Sequence, residues 1–220
     1  MKVAVIPVTP FQQNCSLLVC EQSGKAALVD PGGDLDVVLD AVEKSGASLE
    51  KVLLTHGHLD HCGATAEIRE RCDVIVEGPH AEDQFWIDQL PQQARQYGFG
   101  TLEAFVPDRY LTAGNQVSFG QIVMEVRHCP GHTPGHVIFF HAEHRLAFVG
   151  DVLFKGSIGR TDFPRGDLTT LIRSITAQLW PLGDDVTFVP GHGPISTFGE
   201  ERRTNPFVSD QALASQTRTG

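Results

Sequence analysis

Six consecutive positions, His56 to His61 in the string THGHLDH, hold three imidazoles and one carboxylate directly after the apolar run KVLL. Imidazole nitrogen and carboxylate oxygen are the donors that zinc and similar divalent cations take at about 2.0–2.2 Å, with roughly four to six neighbours. In extended backbone residues i and i+2 face the same way, so His56 and His58 can share one cation, and Gly57 between them leaves room. Once the chain turns into a helix, Asp60 and His61 point elsewhere and can hold a second. Three further fragments repeat the placement: CPGHTPGH (129–136), FVGDVLF (148–154) and FVPGHGP (188–194) each set a His or Asp just past an apolar run. Each has a glycine beside it that lets the backbone turn sharply, and loops at strand ends are where rigid scaffolds carry functional groups. His132 then completes the first set and His192 the second, with Asp151 giving one oxygen to each. The expectation is seven side chains for two cations.

The elements that must position them follow from hydrophobic period. Strands are predicted at 2–8, 14–20, 25–30, 51–54 and 74–77, with helices at 34–45 and 62–71. Residues 79–97 read as a helical excursion that Pro91 ends or kinks, close to whatever cleft exists. The second half reads as strands at 115–119, 121–128, 136–141 and 145–149, a helix at 167–179, a strand at 186–190 and a short C-terminal helix. Two stretches of strands, each followed by a helix-rich part, predict two sheets packed face to face with helices outside. With neither a clear repeat nor a linker between the halves, residues 1–220 are read as a single domain.

Composition narrows the function classes. A hydrophobic content of 41% and a charged content of 20%, with no 18-residue apolar run, suit an ordinary globular protein and exclude a membrane span. The N-terminal run is broken by Pro7 and has no cleavage site for export, which predicts a cytoplasmic protein. A net charge of −10, with 17 scattered Lys and Arg, offers no basic stripe, so no nucleic-acid partner is expected. Cys15, Cys20, Cys62, Cys72 and Cys129 form no C-x-x-C pair and are read as free structural thiols.

THGHLDH, followed by His132 in PGHT, Asp151 in GD and His192 in PGHG, resembles the metallo-β-lactamase superfamily and, within it, the glyoxalase II group of thioesterases. The likeness runs in order from VDPGG (29–33) to PGHGP (190–194), and the ending GEERRTNPF is similar to short, single-domain bacterial glyoxalase II-like hydrolases. The resemblance implies an α+β fold, an αββα sandwich of two mixed β-sheets flanked by helices, with a dinuclear site at one sheet edge. It assigns His56, His58, Asp60, His61, His132, Asp151 and His192 as metal ligands, with Asp60 and Asp151 also in catalysis. The ions are expected to be zinc, with iron or manganese compatible with the same donors. Arg160 in GSIGRTDF stands where longer relatives carry a lysine that touches glutathione, so Arg160, and secondarily Arg202, are expected to bind the substrate's carboxylates.

The implied reaction is hydrolysis of a thioester, such as the glutathione conjugate S-lactoylglutathione. A water between two cations roughly 3.5–4 Å apart ionises near pH 7. The hydroxide attacks the thioester carbonyl, and the thiolate, with a pKa of about 8.5, leaves without a strong acid. The alternative is a glutathione persulfide dioxygenase with a single iron, since the letters GRTDF also occur in that related group. Antibiotic hydrolysis and RNA processing are disfavoured, the first by the N-terminus and the bridging Asp151, the second by the acidic charge. His80, His128, His141 and His144 are read as surface or supporting residues, with His136 placed to reach the site's periphery. Turn chemistry accounts for VDPGG, with Asp30 in reach of the ligand loop, and Phe85, Trp86 and Tyr97 suit either helix packing or a cleft wall. The oligomeric state is left open.

Overall fold

The computed structural model describes residues 1–216. One sheet is formed by β1 (Lys2–Val8), β2 (Gln13–Cys20), β3 (Lys25–Val29), β4 (Ser48–Leu53) and β5 (Ile75–Glu77), in that spatial order. Between its strands run α1 (Leu35–Ser45), α2 (Leu59–Cys62) and α3 (Thr65–Arg71). The other sheet draws on β6 (Gln116–Phe119), β7 (Ile122–His128), β8 (Val137–His141), β9 (Leu146–Gly150), β12 (Thr187–Pro190) and β13 (Ser196–Thr197), ordered β13-β12-β9-β8-β7-β6. A small hairpin, β10 (Leu153–Phe154) with β11 (Ser157–Ile158), precedes α6 (Leu168–Ser174), and α7 (Phe198–Thr204) and α8 (Asp210–Gln216) follow β13.

Period-two alternation builds the layers. On β3, Ala26 and Leu28 pack toward the helices while Ala27 and Val29 enter the core between the sheets. On β8, Ile138 and Phe140 face the α6 side and Val137 and Phe139 face inward. Phe119, Met124, Val126, Phe139, Phe148 and Val189 meet Leu18 and Leu53 across the middle, all nearly without exposure. The result is the four-layer αββα sandwich with mixed sheets, as expected. Among the described residues no helix is long and apolar enough to cross a membrane, and all five cysteines are free, four of them buried.

Strand direction decides where the chemistry collects. β3 and β4 are parallel, β9 and β12 are parallel, and β7 runs antiparallel to β8, which is antiparallel to β9. The C-terminal ends of β7, β9 and β12 therefore share one edge. Two contacts join that edge to the first sheet: Val137 N–H donates to the Thr55 carbonyl, just past β4, at 2.8 Å, and Gln13, at the start of β2, pairs with His192 in an isolated bridge.

Several boundaries depart from sequence expectation for local reasons. The helix predicted over 62–71 is split at Gly63–Ala64 into α2 and α3. The excursion at 79–97 is a 3-10 turn (Ala81–Asp83), α4 (Gln84–Ile87) and α5 (Leu90–Tyr97), with Pro91 in the first turn of α5, where its missing N–H costs nothing. The helix predicted over 167–179 is α only to Ser174 and continues as a π-helical turn.

Candidate metal centre

The imidazoles are oriented by the nitrogen that faces away from the cluster. Asp30 accepts from the Thr55 amide (2.7 Å), the Thr55 hydroxyl (2.5 Å) and His61 Nδ1 (2.9 Å). With its own proton given to Asp30, Thr55 Oγ1 accepts from His56 Nδ1 at 3.0 Å. His132 Nδ1 donates to the Arg160 carbonyl at 2.7 Å and His192 Nδ1 to the Phe11 carbonyl at 3.1 Å. Each bond fixes a tautomer whose Nε2 carries a lone pair in the neutral ring, the support that metal-binding histidines use.

Those lone pairs converge in two groups. His56 Nε2 and His132 Nε2 lie 3.1 and 3.0 Å from His58 Nδ1, while His58 Nε2 is buried without a partner. If Nε2 carries the His58 proton, three bare nitrogens face one another. That arrangement is repulsive unless a cation sits among them. In the second group, His192 Nε2 is 3.2 Å from Asp60 Oδ2, and His61 Nε2 is 3.8 Å from the same oxygen. Asp151 lies between the groups: Oδ1 is 3.3 Å from His61 Nε2, and Oδ2 is 3.6 Å from His132 Nε2 and 3.7 Å from His192 Nε2. His56, His58 and His132 thus form one set of donor atoms within 4.8 Å of one another, and Asp60, His61 and His192 form another. With His58 Nδ1 facing the Nε2 atoms of His56 and His132, and His61 Nε2 and Asp151 Oδ1 buried without a hydrogen bond, the donor set fits divalent metal ions.

The two groups differ in charge. Burial, and then the neighbouring His61 and His136, hold His56 well below the ordinary imidazole range, and burial does the same for His58 and lowers His132. Burial also opposes charge on His61, but Asp151 and Asp60 overcome it and hold His61 well above that range. His192 is likewise raised, by Asp60 and Asp151 against burial. Burial works to raise Asp151, yet His61 and His132 keep it well below the usual carboxylate range.

Two residues that the spacing left unassigned, Asp83 and Gln13, support the ligand loops together with His136. Asp83 accepts from the Gly57 amide (2.9 Å), the Thr133 hydroxyl (2.7 Å) and the Gly135 amide (2.6 Å), so one carboxylate ties both histidine loops together. Burial pushes it up to about 6 despite those bonds. Gly57 packs so tightly that a Cβ there would come within 2.8 Å of the Asp83 carbonyl oxygen. His136 reaches the periphery as expected: it is fully buried, stacks on His56 at 4.6 Å and accepts from the Asp151 amide at 3.0 Å. Gln13, also fully buried, places Nε2 3.4 Å from His61 Nδ1. Asp30 exceeds the role that turn chemistry gave it, since it anchors both Thr55 and His61. Nothing in local spacing signals Asp83 or Gln13. Their partners lie 26 to 52 residues away for Asp83 and 48 for Gln13.

A cleft of about 410 Å³ opens over the cluster, lined by Phe11, Phe154, Ser157, Ile158, Arg160 and Phe163 around His58, Asp60, His132, Asp151 and His192. Arg160 lies over the Phe163 ring at 4.3 Å and forms a two-point pair with Asp162 at 2.7 and 2.6 Å. Arg202 is not brought to the cleft: on α7 it pairs with Asp184 (3.0 Å) and Asp210 (3.4 Å). Trp86 touches His58 edge-on at 4.6 Å, Tyr97 sits against Phe11 at 6.4 Å, and Phe85 carries Arg165 on its face.

The family model of the metallo-beta-lactamase superfamily matches residues 8–192, the stretch that contains both donor sets. The chain belongs to the metallo-beta-lactamase superfamily. It is 45% identical to the hydroxyacylglutathione hydrolase GloC of Haemophilus influenzae over 213 residues, 96% of this chain and all of that protein. It is 33% identical to the probable metallo-hydrolase YqgX of Bacillus subtilis over 97% of this chain and all of the relative. Among solved superfamily folds, TTHA1623 in a di-iron-bound form superposes with a TM-score of 0.85 at 36% identity, covering 93% of this chain and 100% of the other. ETHE1 from Myxococcus xanthus superposes with a TM-score of 0.80 at 25% identity, covering 100% and 92%.

Proposed function

We propose that this protein is a metal-dependent hydrolase of thioesters, with a glutathione thioester such as S-lactoylglutathione as the substrate. The observation that carries the reading is the convergence of two donor sets on one aspartate, in a chain 45% identical along its length to a hydroxyacylglutathione hydrolase. His56, His58 and His132 would hold one ion, Asp60, His61 and His192 the other, and Asp151 would contribute to both. Bound divalent ions supply Lewis acidity and bring the pKa of water down to about 7, which provides hydroxide at neutral pH.

The chain's own residues do the rest. Asp60 borders the cleft and is the carboxylate placed to orient, or accept a proton from, an attacking water, while Asp151 keeps its charge and fixes the separation of the two sets. Phe154, Ile158 and Phe163 exclude water from one side of the reacting carbonyl. Arg160, at the rim, would meet a carboxylate of the thiol carrier by exchanging Asp162 for it, as a guanidinium fork does readily. No residue is required to protonate the leaving group, because a thiolate is a stable anion near neutrality.

The test is metal content per chain together with thioester turnover on one preparation. About two ions per chain and hydrolysis of S-lactoylglutathione support the reading; a fully loaded protein inert toward every glutathione thioester removes it. A second reading, oxygenation of glutathione persulfide at a single iron, is favoured by one observation. Asp60, His61, Asp151 and His192 pair with one another as charged groups and so do not require an ion. Oxygen uptake with persulfide at one iron per chain would select it.

A further inference from the structure

The ending GEERRTNPF, whose Arg202 turns away from the cleft, holds two other polar residues that the reaction does not use. Glu201 on α7 and Asn205, just past its end, are both almost wholly buried. At i and i+4 they share one helix face and meet, Asn205 Nδ2 donating to Glu201 Oε2 at 2.9 Å. Polar groups buried this deeply cost stability unless their donors and acceptors are matched, and the matches here are specific. Glu201 also accepts from the Ser196 hydroxyl (2.6 Å) and from the Gly156 amide (2.8 Å), and Asn205 Nδ2 donates to the Ser157 carbonyl as well (3.0 Å).

Two of these bonds end on the β10–β11 hairpin. It pairs only Leu153 with Ile158 and Phe154 with Ser157, and it joins neither large sheet. A lone two-stranded ribbon is marginal in water, so this one depends on support from outside, and Glu201 and Asn205 supply it. What the hairpin presents is the cleft wall: Phe154, Ser157 and Ile158 line the space over the donor cluster, and the Phe154 ring stands 6.2 Å from that of His192. Next in the chain, Gly159 lies so close to the Asp151 carbonyl oxygen that no Cβ fits between them. Glu201 and Asn205 themselves neither line the cleft nor belong to the donor sets.

We propose that Glu201 and Asn205 are positioning residues that act through the β10–β11 hairpin: they fix the wall against which the substrate packs, and so set its KM, while the seven donors hold the ions without them. This rests on the hydrolase reading above, in which the cleft over the donor cluster takes the substrate.

The test uses the metal-loaded protein with Asn205→Leu, close in shape but without the amide, or Asn205→Ala where the first variant does not fold. For S-lactoylglutathione KM is expected to rise about tenfold while kcat stays within about threefold, the pattern of binding lost equally from ground state and transition state. Ion content per chain stays at the wild-type level, and amide hydrogen exchange quickens about tenfold over residues 153–158 but not in β8 or β9. Glu201→Leu follows Asn205→Leu, whereas Glu201→Gln, whose oxygen can serve Gly156 and Asn205 and whose NH2 can serve Ser196, stays within about twofold of wild type. The proposal is overturned by an unchanged KM, by a fall in kcat with lost ions, by exchange that quickens equally across the chain, by Glu201→Gln as impaired as Glu201→Leu, or by failure of both Asn205 variants to fold. Each of these leaves the hydrolase reading standing as long as the wild type turns over the thioester. Should the wild type hydrolyse no thioester, that reading falls, and the positioning role is decided with a non-hydrolysable S-alkylglutathione thioether. Local quickening together with about tenfold weaker binding of that probe by Asn205→Leu keeps the role, and any other result discards it.

Discussion

The two halves of the candidate centre are built on opposite electrostatic principles. His56, His58 and His132 are buried and held neutral, with His56 Nε2 and His132 Nε2 gathered 3.1 and 3.0 Å from His58 Nδ1. Asp60, His61 and His192, with Asp151, form a set of charged pairs in which His61 and His192 are held in favour of protonation. The first half has no charged ring to deprotonate before it accepts an ion. The second is stable as an ion cluster, and His61 and His192 have to surrender their protons before it accepts an ion. An ion should therefore enter the all-imidazole half more tightly and with less dependence on pH.

Asp151→Asn attacks what the halves share and should have the largest effect. With the charge gone, both ions should weaken and kcat/KM should fall by about 10³-fold or more, equivalent to about 4 kcal/mol. Full retention of two ions by elemental analysis would show that Asp151 is not the common member. Asp83→Ala comes next, because it leaves two buried amides and a hydroxyl without an acceptor. Each costs about 1–3 kcal/mol, so a chemical-denaturation loss of about 3 kcal/mol, with metal affinity down about 10- to 100-fold, is expected. Asp83→Asn, which retains one acceptor oxygen, should recover part of both.

Proton linkage sharpens the comparison at a smaller scale. Calorimetric titration in buffers of different ionisation enthalpy should show about one to two protons, from His61 and His192, released by the ion entering the second half near pH 7 and close to none for the first. The sign extends to stability without metal. The raised His61 and His192 add stability that is fully present below the ordinary imidazole pKa of about 6.5 and is lost as pH rises through their folded values. His56, His58 and His136, all lowered, act in the other direction, since the unfolded chain takes up protons below about pH 6.5 that the folded chain refuses. Metal-free protein should thus lose stability on acidification, and a flat profile from pH 7 to 5 would contradict the buried neutral triad. Arg202→Ala marks the low end: with its guanidinium on Asp184 and Asp210, turnover should change less than about twofold.

The clustering of the seven side chains is legible in the sequence because each follows a strand that the alternation of apolar residues reveals, next to a glycine that turns the chain. The αββα layers followed from the same alternation, as on β3 and β8. What stayed hidden was the support. Asp83 sits in a segment that reads only as helix, and its role exists because β5 and the 129–136 loop are brought together in space. Gln13 carries no chemical signature beside Gln12, and burial against His61 alone distinguishes them. Arg202 misled because the ending GEERRTNPF is similar in letters, while its charge is taken up by aspartates that lie 18 residues before it and 8 after it.

The 2.7 Å bond from His132 Nδ1 to the Arg160 carbonyl has a consequence for how such a protein can diversify. The segment that carries Arg160 is fastened to a ring of the donor cluster, so mutations that reshape it are transmitted to that ring and are purged with the lost chemistry.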